Sequence, residues 1–426
     1  MSDYRARPWR YHPDRDRLLA EAHARPFTPL NSPILASRIA TLSGQDGAAS
    51  DRAHMTALCR SLGRSEPGPD SRWCALDAGK WRLRWERHTE FSTWTFFRNP
   101  DGDNLTLERA FDAAPKDWLD ALPGEILVAT HLTLIDKDSP QTAALIARHD
   151  SIGAVVLGDS ARVFTDLRPD PDRMTNYLLV MSRKDDQLAG RLALSLLEIE
   201  TYRMMALLAF PLAGEATDQL TKIEGESGHL ASQLSQTADA DADRALLARL
   251  ATLAGETETL SARTSFRFGA AAAYHEIVLD RIETLQEERI AGLQTLGEFM
   301  ERRLAPAMRT CDTVARRQQA AIERIARTEQ MLNTRVEVAT EATNAKLLES
   351  MDNRAKTQLR LQRAVEGFSV FAIAYYALSL GSYPLKAIEK AVQGFDATLT
   401  AGVLAPVLLI FAWLSLRRLR ENSRDD

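Results

Sequence analysis

Few residues in this chain combine a type and a spacing that could carry chemistry. Glu21, His23 and Arg25 alternate in Glu21-Ala22-His23-Ala24-Arg25-Pro26-Phe27. A histidine between a carboxylate and a guanidinium can act as a general base or help hold an anion, and the same cluster also occurs as a satisfied helix end packed on its neighbour. Asp136-Lys137-Asp138 puts two carboxylates at the end of an apolar stretch. A divalent cation there would need further oxygen ligands, which the surrounding sequence does not supply. Cys59, Cys74 and Cys311 are far apart, lack metal-ligand spacing and read as free cytosolic thiols. The chain has no phosphate loop of the Walker type, no dinucleotide fingerprint, no zinc-protease motif and no nucleophile elbow. With no catalytic constellation assembled, the sequence points away from an enzyme and calls for no cofactor.

The other residues of interest lie in two apolar runs near the C-terminus, Gly367 to Leu385 and Ala397 to Leu416, neither of which contains a charge. Each is about the 20 residues that a helix needs to cross a hydrocarbon core. In the first, Ser369, Tyr376 and Tyr383 recur every seven residues with Ser379 close to the same face, and Gly381 and Ser382 lie beside Tyr383. A polar stripe in hydrocarbon faces a partner helix or a water-filled path, although serine and tyrosine are also tolerated there singly. Ser369, Tyr376, Ser379, Gly381, Ser382 and Tyr383 are therefore the candidate pore-lining residues. In the second run Ala401 and Ala405 form a small-x-x-x-small pair, and Pro406 predicts a kink. The absence of intramembrane acids, bases and histidines argues against a proton relay.

These runs imply a helical hairpin with a short external loop at 386–396. Lys356, Arg360 and Arg363 precede the first run and Arg417, Arg418 and Arg420 follow the second, against Lys386 and Lys390 in the loop. The positive-inside rule then places both termini in the cytoplasm. Met1-Ser2-Asp3-Tyr4-Arg5 begins no apolar signal region, so the body is expected to stay inside. A formal charge of −5 over 426 residues suggests no nucleic-acid partner.

The elements upstream predict an α+β chain: an N-terminal mixed β-sheet domain with helices, a long helical bundle and stalk, then the two transmembrane helices. Helical patterns are expected from Asp14 to before Pro26, and again over Pro33 to Leu62 with a loop at Ser43 to Gly47. Alternation in Trp81-Arg82-Leu83-Arg84-Trp85 and again from Phe91 to Phe97 predicts a hairpin with one buried face, turning at His88-Thr89-Glu90. Further strands are expected at Ile126 to Ile135, Ile152 to Leu157, Arg162 to Leu167 and Thr175 to Met181, with a short helix at Gln141 to Arg148 and glycine turns at Gly153 and Gly158. The pattern then becomes helical over Asp186 to Phe210, Glu215 to Gln236, Asp241 to Thr264 and Gly269 to Leu304, with Pro306 separating a final stalk. The domain division is 1–183 for the α/β part, 184–304 for the bundle, 305–366 for the stalk, 367–385 and 397–416 for the spans, and 417–426 for a basic tail. The stalk, roughly 90 Å long if fully helical, must pack on other helices or on copies of itself, as coiled coils do.

Glu21 to Phe27, Arg87-His88-Thr89-Glu90-Phe91, Ala305 to Cys311, Thr334-Arg335-Val336 and Gln362 to Gly367 together resemble a bacterial family of uncharacterised membrane-anchored proteins, over nearly the whole length. The resemblance implies anchoring in the bacterial inner membrane and no particular activity. In architecture the chain also resembles the CorA magnesium transporters, homopentamers whose first span lines the channel. That family carries Gly-Met-Asn where this chain has Gly381-Ser382-Tyr383, so the amide carbonyl expected to hold a hydrated cation is missing. The expectation is a CorA-like homo-oligomeric ion channel or transporter in the lipid bilayer, pentameric if the resemblance extends that far. The alternative is a non-conducting anchored scaffold whose body binds a cytosolic protein partner.

Overall fold

The computed structural model describes residues 9–16, 18–19, 28–102, 105, 108–149, 151–236, 240–391 and 396–422. The fold is α+β. The chain divides into two units: residues 1–236 with 248–329, and residues 237–247 with 330–426.

The first unit is built on a nine-stranded sheet. In chain order its elements are β1 (Ile34–Leu42), α1 (Ala48–Ser61), β2 (Trp73–Asp77), β3 (Trp81–Arg87), β4 (Phe91–Arg98), α2 (Lys116–Asp120), β5 (Glu125–Asp136), α3 (Thr142–Ile146), β6 (Ile152–Val156), β7 (Ala161–Pro169) and β8 (Thr175–Met181). Three helices, α4 (Asp186–Leu207), α5 (Ala209–Gln236) and α6 (Ala240–Leu285), lead to a two-residue strand β9 (Glu288–Arg289) and then to α7 (Leu296–Ala391) and α8 (Ala397–Asn422). The strand order is β2-β3-β4-β1-β5-β8-β7-β6-β9. Among the strand pairs of the described residues, β5–β8 is parallel and the others are antiparallel.

The strands β5 to β8 lie where alternation predicts them. β1 corrects the sequence reading, because Ile34–Leu42 forms a strand and only Ala48–Ser61 of the expected helix is α-helical. Strand β1 is paired on both edges and buried on both faces, so its apolar residues form a near-continuous run with no clear period of two.

One face of the sheet carries Leu35, Leu83, Trp85, Trp94, Phe96, Ile135 and Leu178, packed under α1 with Met55, Leu58 and Cys59. The opposite face is a second correction. The hairpin β3–β4 was expected to leave its polar side in water, yet Arg84, Glu86, Thr93 and Thr95 are buried too. On this side Arg38 Nε donates to Thr95 Oγ1 at 2.9 Å and Arg84 Nη2 donates to Glu86 Oε1 at 2.9 Å. Burial penalises the Glu86 charge, but Arg38 and Arg84 outweigh it and hold the carboxyl below the usual carboxylate range.

Helix α4 covers this polar side. Its N-terminus is capped by Asp185, whose side chain accepts from Leu188 N at 2.9 Å. Its buried residues include Leu192, Leu196, Ile199 and Glu200. Glu200 accepts from Thr175 Oγ1 at 3.0 Å and pairs with Arg203 at 2.7 Å. Gly190 lets α4 approach closely, since a Cβ there would meet the Thr28 carbonyl oxygen at 2.1 Å.

The stretch Arg87 to Phe91 ties three elements together. Arg87 is buried and pairs with Asp51 of α1 at 3.1 Å, while Ser92 donates to the same carboxylate at 2.7 Å. Glu90, also buried, accepts from Arg267 of α6 at 3.1 and 2.5 Å and from Tyr274 Oη at 2.9 Å. Phe91 meets Tyr202 of α4 and Tyr274 of α6 edge-on, at 6.3 and 6.2 Å between ring centroids.

The long helices are less interrupted than their sequence suggests. Helix α6 runs through Gly269, which was expected to mark a break, and ends at Leu285. Pro306 lies inside α7 instead of ahead of it. It is exposed, so the carbonyl that loses its helical partner can be solvated. The α7 N-terminus is fixed by a capping box: Glu298 N donates to Thr295 Oγ1 at 3.1 Å, and Thr295 N donates to Glu298 Oε2 at 3.0 Å. Glu287 accepts from Leu296 N at 2.9 Å and Gly297 N at 2.8 Å. The preceding turn pairs β9 with β6, and Gly153 of β6 sits under Leu293, so that this glycine serves close packing while Gly158 serves the turn. Helix α5 is joined to its neighbours by Glu215–Arg263 at 2.5 Å and Glu224–Arg317 at 2.7 Å.

In the second unit Asp243 is buried and pairs with Arg335 at 3.0 Å. Residues 341–365 of α7 are exposed throughout, Leu347, Met351, Leu361 and Val365 included. The expected external loop is shorter than 386–396, because α7 stays helical to Ala391.

Glu90→Ala should lower the stability of the full-length protein by about 2–3 kcal/mol, because it strands the Arg267 guanidinium and frees Tyr274. Thermal unfolding in detergent measures this, and a melting temperature equal to wild type would contradict the role assigned to Glu90.

Candidate functional site

The cluster Glu21, His23 and Arg25 lies outside the described residues. The other sequence candidates are placed. Asp136 ends β5 and turns the chain: its carbonyl accepts from Ser139 N at 3.1 Å and from Thr142 Oγ1 at 3.0 Å. Among the described residues no group of three or more acids, histidines or cysteines could hold a metal ion. Cys59 and Cys74, distant in sequence, are brought into side-chain contact, and burial pushes the Cys74 thiol up to about 12. Cys59 is likewise raised by burial, so both thiols are protonated and poorly nucleophilic at neutral pH.

The six candidate residues of the first apolar run divide between two faces of α7. Gly367, Val370, Ala374, Leu378, Gly381 and Leu385 lose exposure, and their spacing of three to four puts them on one side of the helix, with Ser382 at its margin also partly covered. Ser369, Tyr376, Ser379 and Tyr383 are exposed and lie roughly 180° away at 100° per residue. Gly381 therefore belongs to the covered face, and Ser382 lies between the two. In α8 the covered positions include Ala397, Thr400, Ala401, Ala405, Leu408 and Ala412, so the small-x-x-x-small pair falls on its covered side. The Ser369 hydroxyl donates to Val365 O at 2.9 Å and that of Ser382 to Ser379 O at 2.7 Å. Apart from those positions the two segments are mainly exposed: Phe368, Phe371, Ile373, Val403, Ile410 and Phe411 are all open. Both helices are long and apolar enough to cross a membrane.

Sequence reasoning missed a polar cavity of about 490 Å³ on the aromatic side of the sheet, lined by Arg109, His131, Asp170 and Asn176. Arg109 Nη2 donates to Asp170 Oδ2 at 2.5 Å, and Asn176 Nδ2 donates to the same oxygen at 3.0 Å. His131 is buried between Ser37 Oγ, 3.0 Å from Nδ1, and Thr133 Oγ1, 3.3 Å from Nε2. Ser37 Oγ also accepts from Ala110 N at 3.0 Å, which ties His131 to the segment at Ala110. Burial, reinforced by Arg109, depresses the His131 pKa to about 3. The imidazole is neutral and fully bonded, which makes it a fixed part of the wall and a poor general base at neutral pH. Ser37 comes from β1 while Thr133 shares β5 with the histidine, and only the odd histidine within an apolar strand hinted at the site.

Exposed apolar helices joined to a folded α+β body define a protein suited to membrane anchoring. The chain belongs to the family described as Protein of unknown function (DUF3422), whose model matches residues 10–423. No curated protein matches the chain. Among solved structures it is similar to one described as "structure of the full-length CmaX protein", at 11% identity over 69% of this chain and 89% of that one. The TM-score of 0.19 is too low to bear on fold or function. These comparisons lend no support to the resemblance to CorA transporters.

The His131 site predicts a specific acid sensitivity. The unfolded histidine takes up a proton near pH 6.5, whereas the folded one resists protonation down to about 3. Its contribution to stability is therefore complete above pH 6.5 and is lost as the pH falls from there towards 3. Melting temperatures measured from pH 7.5 to 4.5 should fall less steeply for His131→Asn than for wild type, and parallel slopes would contradict the assignment.

Proposed function

We propose that the protein is a homo-oligomeric ion channel or transporter of the bacterial inner membrane, multi-pass with both termini cytoplasmic, in which copies of α7 line a narrow path. The observation supporting this is the position of Ser369, Tyr376, Ser379 and Tyr383 opposite the covered face of α7. In a bilayer such a stripe must face either lipid or other copies, and polar side chains favour the second. The exposed Leu347, Met351, Leu361 and Val365 fit the same reading, since copies packed as a coiled coil would cover them. Gly381 and Ser382 are not part of this lining.

A second reading, a non-conducting anchor whose body binds a protein partner, is favoured by the Ser369 and Ser382 hydroxyls donating to carbonyls of their own helix. It also accords with the uncharged spans.

The two readings separate in one set of experiments. For a pore, Ser369→Cys, Tyr376→Cys and Ser379→Cys should react with aqueous thiol reagents faster than Ile373→Cys and Leu380→Cys, and purified protein should pass ions in liposomes. Native mass measurement in nanodiscs should show a closed ring, five copies if the CorA-like architecture holds. Equal reactivity along α7, or a monomer or dimer, would leave the anchor reading in place.

A further inference from the structure

Helices α6 and α7 enclose a groove of about 700 Å³ within the first unit, on a scale usual for small-molecule sites. Its floor is apolar, made by the buried Phe268, Ala271, Met308 and Cys311. Small residues at Ser261, Ser265, Gly269 and Ala272 hold it open along α6. Gln318 lines the groove at 4% exposure. Its Oε1 accepts from Thr264 Oγ1 at 3.1 Å, while Nε2 has no hydrogen-bond partner among the described residues. His275 also lines the groove, and its Nε2 is enclosed without a partner among the described residues. Thr264 and His275 are eleven residues apart on α6, about 16 Å along the axis, so the unmet polar atoms stand towards opposite ends of an apolar channel.

A buried amide donor without an acceptor is costly, and an acceptor group delivered into the groove would relieve that cost. Charge narrows the choice of ligand. The lining carries Glu276, Arg309 and Asp312, and Asp312 is paired with Arg316 at 2.9 Å. No excess of positive charge remains to hold a carboxylate or phosphate. We propose that the α6–α7 groove binds a neutral single-chain amphiphile of the monoacylglycerol class, its apolar chain over Phe268 and Met308 and a hydroxyl or carbonyl oxygen accepting from Gln318 Nε2. The proposal does not depend on whether the membrane helices conduct ions.

The test uses the full chain in nanodiscs with a photoreactive diazirine monoacylglycerol, and mass spectrometry to map the labelled peptides. Labelling should fall on the segments around 268–272 and 308–315 and be competed by unlabelled monoacylglycerol. Ala272→Trp, a change at an exposed rim position, should abolish it. Gln318→Leu should weaken labelling at sub-saturating probe about fivefold, the loss expected for one hydrogen bond, without lowering the melting temperature. Labelling confined to residues 367–416, or unchanged in Ala272→Trp, would overturn the proposal and leave water as the partner of Gln318. A photoreactive fatty acid that labels the groove equally well would overturn the choice of a neutral head.

Discussion

The Glu90 carboxylate is the point on which the two halves of the first unit depend. It lies at the tip of a hairpin in the sheet, yet three donors within about two helical turns of α6 converge on it: two from Arg267 and one from Tyr274. A buried carboxylate is tolerable only when such donors compensate its lost hydration. Its neighbours in sequence extend the constraint. Arg87 holds α1 through Asp51, and Phe91 packs on Tyr202 and Tyr274, so five consecutive residues set where helices on both sides of the sheet can lie.

The same economy is seen on the α4 side of the sheet, where charges and hydroxyls take the place of an oily core. Arg38, Arg84, Glu86, Thr93, Thr95, Thr175 and Glu200 are all buried there. Breaking one member of such a layer costs more than its partners gain by regrouping, because each remaining group stays dehydrated. The aromatic side, with the tilted rings of Trp85 and Trp94 6.0 Å apart between centroids, tolerates volume changes in a more ordinary way. The two faces therefore contribute to the fold differently: one supplies burial of apolar area, the other a demanding polar geometry.

This division explains what could be read before the structure. Strands β5 to β8 were legible because alternation, turn residues and length agree. The two apolar runs were legible because length and charge alone identify them. Strand β1 was not, since burial on both faces removes the period of two and leaves apolar residues at spacings that also suit a helix. The buried polar face of β3–β4 looked solvated because residue type does not say whether a charge finds its partner in water or across a layer. Pro306 and Gly269 looked like breaks because local propensity was weighed without the packing that carries α6 and α7 through them. At the candidate site the stripe of Ser369, Tyr376, Ser379 and Tyr383 was visible from its period, whereas placing Gly381 on the other face needed the burial of Ala374 and Leu378. His131 was hidden because Ser37, its partner at Nδ1, is 94 residues away.

In the second unit the pair of Asp243 with Arg335 gives this part of α7 a fixed origin, and the helix runs on from there to Ala391. Along an unbroken helix the angular position of each side chain is counted from that origin. The stripe at Tyr376 is thus held in phase with Arg335 by residue number. One residue added or removed between them turns the whole polar face by about 100°, while seven leave it within about 20° of where it was. Sequence length in the stalk therefore acts as a rotational setting, and drift by single residues is a change of orientation more than of reach.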